Sequence, residues 1–370
     1  MDAALSQIAE RVRAALADHT PLRLRGGGSK DFHALQLQGD LLDTRDWRGI
    51  VSYEPSELVV TVRAGTPLAE LEAVLAAQGQ CLAFEPPHFG AATVGGMVAT
   101  GWSGPSRASV GAVRDYVLGV EILNGRAELL RFGGQVMKNV AGYDVSRLMA
   151  GSWGTLGLIT EVSLKVLPVA PGETTLRFDG LSQAEALQRL NQWGGQPLPL
   201  NASCWVPDAG GADTGTLYLR LRGARAAVEA ACRSLGGVRL DDAATAADWQ
   251  ACREQTLPWF AQRAADHVLW RLSVPQTAPV LALPHGVGAP LIEWQGGLRW
   301  VQAPRSQGPA LQALAQSVGG SASLFRAESA DQISARPIFD VQNPAVQRIH
   351  AQLRQAFDPV GIFNPGRTMA

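Results

Sequence analysis

Three glycine-rich segments lie in the first half of the chain and carry most of its chemical information. They are Arg25-Gly26-Gly27-Gly28-Ser29-Lys30, Thr93-Val94-Gly95-Gly96-Met97-Val98-Ala99-Thr100-Gly101-Trp102-Ser103-Gly104, and Gly151-Ser152-Trp153-Gly154-Thr155-Leu156-Gly157-Leu158-Ile159-Thr160-Glu161. Without a Cβ, main-chain N–H groups can approach a ligand closely. Runs of such groups form anion-binding nests. One run could be a plain turn. Three in a fixed order suggest a long ligand with a central diphosphate, held mainly by backbone. A Walker loop needs G-x-x-x-x-G-K-[ST], and Gly28-Ser29-Lys30 has the wrong order. A Rossmann fingerprint needs G-x-G-x-x-G between a strand and a helix. Gly151, Gly154 and Gly157 have another spacing and precede a strand pattern.

The elements that must position these loops can be read from periodicity. Leu5, Ile8, Val12 and Leu16 trace one face of an N-terminal helix. Pro21 to Arg25 reads as a strand delivering the first loop. Ile50 to Tyr53 and Leu58 to Arg63 read as strands around a turn at Pro55. Thr66 is expected to cap a helix with Pro67 at its first position, ended by Gly79. Cys81 to Phe84 reads as a further strand. Thr93 to Thr100 looks like a loop entering a short helix. Tyr116 to Leu123 and Ala127 to Phe132 flank Asn124-Gly125, a strong hairpin signal. Asp144 can cap a helix through Met149, and Leu158 to Leu167 alternates as a strand.

Pro168 to Gly172 reads as a linker. Beyond it, strand candidates (Thr174 to Phe178, Thr216 to Leu221, Val268 to Val274, Leu298 to Gln302) alternate with Ala-rich helices (Ser182 to Trp193, Ala224 to Leu235, Pro309 to Val318). That order suggests an antiparallel sheet with helices on one face. The chain closes with a helix, Pro344 to Phe357, and the segment Asp358 to Arg367. The expected division is residues 1–170, 171–335 and 336–370, in an α+β fold.

Composition bounds the partners. The chain has 370 residues, 46% hydrophobic, with a net charge of −1. It has no polybasic run, so nucleic acid is not expected as a partner. Its cysteines, Cys81, Cys204, Cys232 and Cys252, are too widely spaced for a zinc or iron–sulfur site and read as buried free thiols. The first residues look like a helix rather than a signal peptide, and no stretch reaches the apolar length of a membrane span. A cytoplasmic protein is expected, or one associated with a membrane only through partners. No two of the six histidines stand at metal-ligand spacing on a helix, so no metal is expected.

The three loops resemble the FAD-binding domain of the vanillyl-alcohol oxidase/p-cresol methylhydroxylase superfamily. The stretches Lys138-Asn139-Val140-Ala141-Gly142-Tyr143-Asp144 and Gly361-Ile362-Phe363-Asn364-Pro365-Gly366-Arg367 narrow the resemblance to the FAD-binding subunits of bacterial glycolate oxidases. The resemblance covers about residues 20–168 and the C-terminus. It implies a two-subdomain FAD-binding domain, a smaller cap of antiparallel sheet and helices, and a C-terminal segment returning to the flavin. It implies that Arg25, Gly26, Gly27, Gly28, Ser29 and Lys30 wrap the FAD diphosphate. Thr93, Val94, Gly95, Gly96, Thr100, Ser103 and Gly104 would continue the cradle. Gly154, Gly157 and Ile159 would lie along the rest of the cofactor, and Asn364 would return to the flavin region. Relatives with covalent flavin carry a histidine at the end of the first loop. Here that position is Ser29, with His33 four residues later, so noncovalent FAD is expected.

The chain also departs from the resemblance. Catalytic 2-hydroxyacid-oxidising relatives carry a G-D-G-N-x-H metal motif in the cap, which is missing here. They have Glu where this chain has Trp153. No catalytic base is assigned: His285 reads as a loop histidine. Arg107, Arg114 and Arg271 could fork a small carboxylate, though each also reads as an ordinary surface or ion-paired arginine. Trp205, Trp259, Trp270, Trp294 and Trp300 would suit a subunit interface if exposed, and core packing is the alternative. The resemblance therefore implies a redox subunit of a glycolate oxidase complex. Its partners would be a larger FAD-containing catalytic subunit and an iron–sulfur subunit, and the complex would act on a small 2-hydroxy acid. A self-sufficient FAD-linked 2-hydroxyacid dehydrogenase and a non-catalytic FAD-stabilised assembly subunit are the alternatives.

Overall fold

The computed structural model describes residues 2–33, 38–135, 143–208, 214–327 and 343–367. Contacts divide the chain into two units, residues 1–103 with 112–169 and 341–370, and residues 104–111 with 170–340.

The first unit opens with α1 (Ala3–Asp18), β1 (Leu22–Arg25), β2 (Asp40–Asp43), β3 (Ile50–Glu54) and β4 (Val59–Arg63). It continues through α2 (Leu68–Ala77), β5 (Gln80–Cys81) and α3 (Val94–Thr100). The turn α4 (Arg107–Val110) belongs to the second unit. Then come β6 (Val117–Leu123), β7 (Leu129–Gly133), α5 (Val145–Leu148), β8 (Leu158–Lys165) and β9 (Leu167–Pro168).

A five-stranded antiparallel sheet, in the order β3-β4-β8-β6-β7, forms its centre. β1 and β2 pair in parallel as a separate ribbon. The apolar stripe of α1, Leu5, Ile8 and Val12, packs with Leu22, Leu42, Trp47, Leu123, Leu158, Ile362 and Phe363. This cluster seats the first loop: the strand that delivers it, the strand after the third loop and the C-terminal segment share one apolar core. Burying each large aliphatic side chain contributes on the order of 1.5–3 kcal/mol.

Two local expectations need correction. Thr66 does not cap α2; its hydroxyl donates to the Arg63 carbonyl at 2.7 Å and accepts the Gly49 N–H at 2.9 Å, while Pro67 takes the N-cap position. The strand expected over Cys81 to Phe84 is only Gln80–Cys81, because its partner β9 is two residues long. Asp144 caps α5 as expected, accepting the Arg147 N–H at 3.2 Å.

The second unit contains β10 (Gly172–Ser182), α6 (Gln183–Gly194), β11 (Leu200–Pro207), β12 (Thr214–Gly223), α7 (Arg225–Leu235), β13 (Val238–Arg239) and α8 (Asp242–Glu254). α9 (Pro258–Ala261), β14 (His267–Ser273), β15 (Leu291–Glu293), β16 (Leu298–Pro304), α10 (Gly308–Ser317) and β17 (Ser321–Arg326) complete it, and α11 (Pro344–Phe357) returns to the first unit. Its sheet has eight antiparallel strands in the order β13-β10-β12-β11-β15-β16-β14-β17.

The helices do not all lie on one face. Ala186, Leu187, Leu190 and Trp193 of α6 and Val228 and Ala231 of α7 pack on Leu176, Phe178, Leu217 and Leu219. Trp249 of α8 instead donates to Thr175 at 2.9 Å and meets the Arg220 guanidinium at 4.8 Å. Thr175 and Arg220 alternate with the leucines along their strands, so they point to the opposite face. Four of the five tryptophans considered for an interface, Trp205, Trp270, Trp294 and Trp300, are buried, and Trp259 is half-buried. The interface expectation therefore fails for those four. None of the four cysteines is in a disulfide; Cys204 and Cys252 are buried, whereas Cys81 and Cys232 are half-buried.

Candidate functional site

β1 ends at Arg25, and the chain then turns through Gly26, Gly27, Gly28 and Ser29. Two of these glycines are demanded by the protein's own packing. A Cβ at Gly27 would fall on the Ala91 carbonyl oxygen, and one at Gly26 on the Thr93 hydroxyl. The loop is thus pressed against the residues that lead into α3. Among the described residues, the N–H groups of Gly26, Gly27, Gly28 and Ser29 find no acceptor. Backbone donors are almost always paired when water is shut out. Four consecutive unpaired ones at a concave wall are the donor set an anion requires.

These residues line a cleft of about 720 Å³ within the first unit. Arg25, Gly26, Gly27, Gly28, Ser29 and Lys30 form one wall, and Thr93, Gly95, Gly96 and Thr100 another. Gly154, Gly157, Ile159 and Asn364 complete the gathering of expected residues. The N-cap of α3 is Thr93, whose hydroxyl accepts the Gly96 N–H at 3.3 Å. Gly95 lets α3 approach β4, since a Cβ there would lie 2.6 Å from that of Ala64.

Three expected residues do not line the cleft. Val94, the first residue of α3, is fully buried and is not part of the cleft wall. Ser103 instead accepts the Val113 N–H at 3.2 Å. Gly104 lies in the second unit, where its carbonyl accepts the Trp294 indole N–H at 2.9 Å. Residues Lys138 to Gly142 of the narrower motif lie outside the described residues.

Asn364 ties the C-terminus to the site. Its Oδ1 accepts the Leu24 N–H at 2.8 Å and its Nδ2 donates to the Trp153 carbonyl at 2.7 Å. It is set by a turn in which Asp358 accepts the N–H groups of Gly361, Ile362 and Phe363 at 3.1, 3.1 and 2.8 Å. Burial outweighs these three donors and pushes the Asp358 carboxyl above its usual range.

Sequence reading named the C-terminal motif but assigned no role to Arg367, which also lines the cleft. Arg367 donates to the Lys30 carbonyl at 3.1 Å, lies over Trp153 at 5.0 Å and stands 3.9 Å from Asp31. Its Nε has no partner. Burial lowers its pKa to about 10, against the opposing pull of Asp31. The signal available in sequence was an arginine three residues after Asn364; its distance in sequence from Lys30 hid the contact. Asp31, another unassigned lining residue, is held by Arg25 at 2.8 Å.

Trp153 adopts a left-handed backbone (φ 56), rare for so bulky a residue, and lines the cleft. Its N–H donates to Ala99 at 2.8 Å and its ring stacks on His33 at 5.0 Å. His33 is buried between Trp153 and Trp102 and does not line the cleft. Ser29 accepts from the Lys30 ammonium at 3.0 Å. His285 is exposed on a turn of the second unit, and Arg114 is an exposed arginine beside Asp115. Among the described residues, no three His, Cys, Asp or Glu side chains gather as a metal site. None of the described helices is long and apolar enough to cross a membrane.

Residues 3–133 match the FAD binding domain family. The chain is 44% identical over 364 residues to glycolate oxidase subunit GlcE of Escherichia coli (strain K12), covering 98% of this chain and 96% of that protein. Glycolate oxidase subunit GlcD of Bacillus subtilis (strain 168) is 32% identical over 127 residues, 34% of this chain and 27% of that protein. D-lactate dehydrogenase of Archaeoglobus fulgidus is 31% identical over 189 residues, 49% of this chain and 41% of that protein. The chain thus spans well under half the length of these last two. A solved alkyldihydroxyacetonephosphate synthase shares the fold with a TM-score of 0.67 at 18% identity, covering 97% of this chain and 74% of that one. The fold is α+β and of the p-cresol methylhydroxylase type, and the protein binds FAD. With the likeness to GlcE running along nearly its whole length, the chain belongs to the glycolate oxidase subunit GlcE family of FAD-binding oxidoreductases.

Proposed function

We propose that this chain is the FAD-holding redox subunit of a glycolate-oxidising complex and that the cleft of the first unit holds the cofactor without a covalent link. The observation that carries the reading is the run of unpaired N–H groups from Gly26 to Ser29, opening into a cleft shared with Asn364 and Arg367. Those N–H groups would bind the diphosphate oxygens. Lys30 and Arg367 would add positive charge at the same wall, and Asn364 would hold the third loop in place. Trp153, stacked on His33, would exclude water from one end. Bound FAD supplies an acceptor for two electrons that can pass them on singly.

A carrier role is favoured by the lining itself. Among its described residues the one acid is Asp31, already paired with Arg25, and there is no histidine or glutamate to take a substrate proton. The likeness to a subunit of glycolate oxidase along 98% of the chain favours an assembly in which a larger FAD-containing subunit oxidises glycolate and an iron–sulfur subunit receives the electrons.

The test is an absorption spectrum of the purified chain before and after anaerobic addition of glycolate. A flavin spectrum that stays oxidised alone and bleaches once the partner subunits are added is the expected result. Bleaching in the single chain would make it a dehydrogenase in its own right. A chain that takes up no FAD would overturn the assignment of the cleft.

A further inference from the structure

The second unit holds a cavity that the FAD cleft does not explain. It lies on the sheet face opposite α6 and α7 and measures about 790 Å³. That is within the roughly 300–1,000 Å³ usual for small-molecule sites. Its floor is Thr175 of β10, Cys204 of β11 and Tyr218 of β12, the last two directly paired across their strands. One wall is a single face of α8, from which Asp248, Trp249 and Cys252 project at helical spacing. Leu257 and Trp259, around the start of α9, form the other. The Trp249 indole N–H donates to the Thr175 hydroxyl at 2.9 Å, and the Cys252 thiol meets the Cys204 thiol, so α8 is pinned to the floor at two points. The opposite wall is fixed by Gln302, whose amide donates to the Trp259 carbonyl at 2.6 Å. The cavity is therefore built before any ligand arrives.

The chemistry of the lining is one-sided. The hydrogen bond with Cys204, and then burial, push the Cys252 thiol up, so it stays neutral. Burial pushes the Tyr218 phenol up as well. Asp248 is left as the one lining residue that carries charge at neutral pH. It is exposed at the mouth and has no protein partner, and neither the Tyr218 hydroxyl nor the Trp259 indole N–H has one. The neighbouring arginines are engaged elsewhere. Arg177 pairs with Asp179 at 3.1 Å, and Arg220 holds Asn201 at 2.7 Å while packing on the Trp249 ring.

A molecule that fills this cavity must cover Asp248. An anion would be repelled, and an uncharged molecule would strip water from the carboxylate without replacing it. An ammonium group offsets that cost with a charged hydrogen bond. Its charge is also attracted by the faces of Trp259 and Tyr218. An aromatic body suits walls that are themselves aromatic. We propose that this cavity binds a small aryl-bearing ammonium cation, with Asp248 on the ammonium and Trp249, Trp259 and Tyr218 around the ring. The site lies wholly in the second unit and stands whether or not the cleft of the first unit holds FAD.

The test uses the full-length, FAD-loaded chain and 2-phenylethylamine as the probe. Calorimetric titration should show one amine bound per chain, and the thermal midpoint should rise with amine. Asp248→Asn should weaken binding about fivefold or more, since the pair lies between an exposed ion pair and an enclosed charged hydrogen bond in strength. Because Asp248 holds no other group, this variant should melt like wild type without amine, which separates lost binding from lost structure. Trp259→Leu should also weaken binding, because leucine keeps an apolar wall without the aromatic face. Asp18→Asn, at the exposed end of α1, should bind like wild type. Undiminished binding by Asp248→Asn, or no binding by wild type, would overturn the proposal. Binding of 3-phenylpropionate as tight as that of the amine would overturn the cation assignment.

Discussion

At the scale of single residues, the glycines of the cofactor cleft divide by what a methyl group would meet. At Gly27 it would strike the Ala91 carbonyl, so Gly27→Ala should disrupt the loop itself and lower stability along with FAD retention. At Gly96 the closest obstacle is the Thr93 hydroxyl at 3.1 Å. Gly96→Ala should therefore fold with only a small change in apo stability, because helix propensity favours alanine while the Thr93 hydroxyl must shift by a few tenths of an ångström. If α3 meets the cofactor at Gly96, the same variant should bind FAD more weakly. Thermal melts and fluorimetric FAD titration read the two effects separately, and unchanged FAD affinity would remove Gly96 from the contact surface. Arg367→Gln should also weaken FAD binding, since the guanidinium joins the Lys30 carbonyl and the Trp153 ring at the cleft wall. In the free protein it should cost little, because burial already penalises the charge. The amides of Gly26 to Ser29 lack acceptors and should exchange with solvent rapidly until FAD is added.

At the scale of elements, the site depends on how its segments are tethered. The turn after α11 is organised by the Asp358 carboxyl, and it places Ile362 to Asn364 beside β1. That carboxyl has its pKa raised above 3.8 in the folded state, so the native protein holds its proton more tightly than the unfolded chain. Its stabilising effect is complete below the unfolded value and is lost as pH rises through the folded one. The stability of wild type relative to Asp358→Asn should therefore fall as pH rises from about 3.8 and level off above the raised pKa. Denaturant melts across that range provide the check, and a difference that grows with pH would contradict the assignment. The N-cap of α3 offers a second element-scale test. Thr93→Val removes the acceptor for the Gly96 N–H and should cost about 1 kcal/mol.

At the scale of the whole molecule, cofactor binding is linked to stability by mass action. Free FAD at a hundred times its dissociation constant should stabilise the chain by about 2.7 kcal/mol. The thermal midpoint should rise with FAD concentration, and the increase should shrink in Arg367→Gln.

Local pattern made much of this chain legible. The Asn124-Gly125 hairpin, the apolar stripe of α1 and helix α11 follow from turn chemistry and periodicity, which depend on neighbours in sequence. Loop spacing likewise pointed to Gly26 through Ser29, Thr93, Gly96, Gly154 and Asn364 as residues of one site. What tertiary structure decided were the pairings between distant residues. The contact of Arg367 with Lys30 joins positions more than 300 residues apart, as does that of Asn364 with Leu24. Val94, Ser103 and Gly104 sit in the same motif as true lining residues, yet packing turns Val94 into the core and commits the other two to Val113 and Trp294. Likewise, α8 has an ordinary amphipathic sequence, and only the alternation of Thr175 with Leu176 along β10 assigns it to the face opposite α6. Spacing can say which backbone is free to meet a ligand; only the folded chain decides which of those groups its own atoms have already claimed.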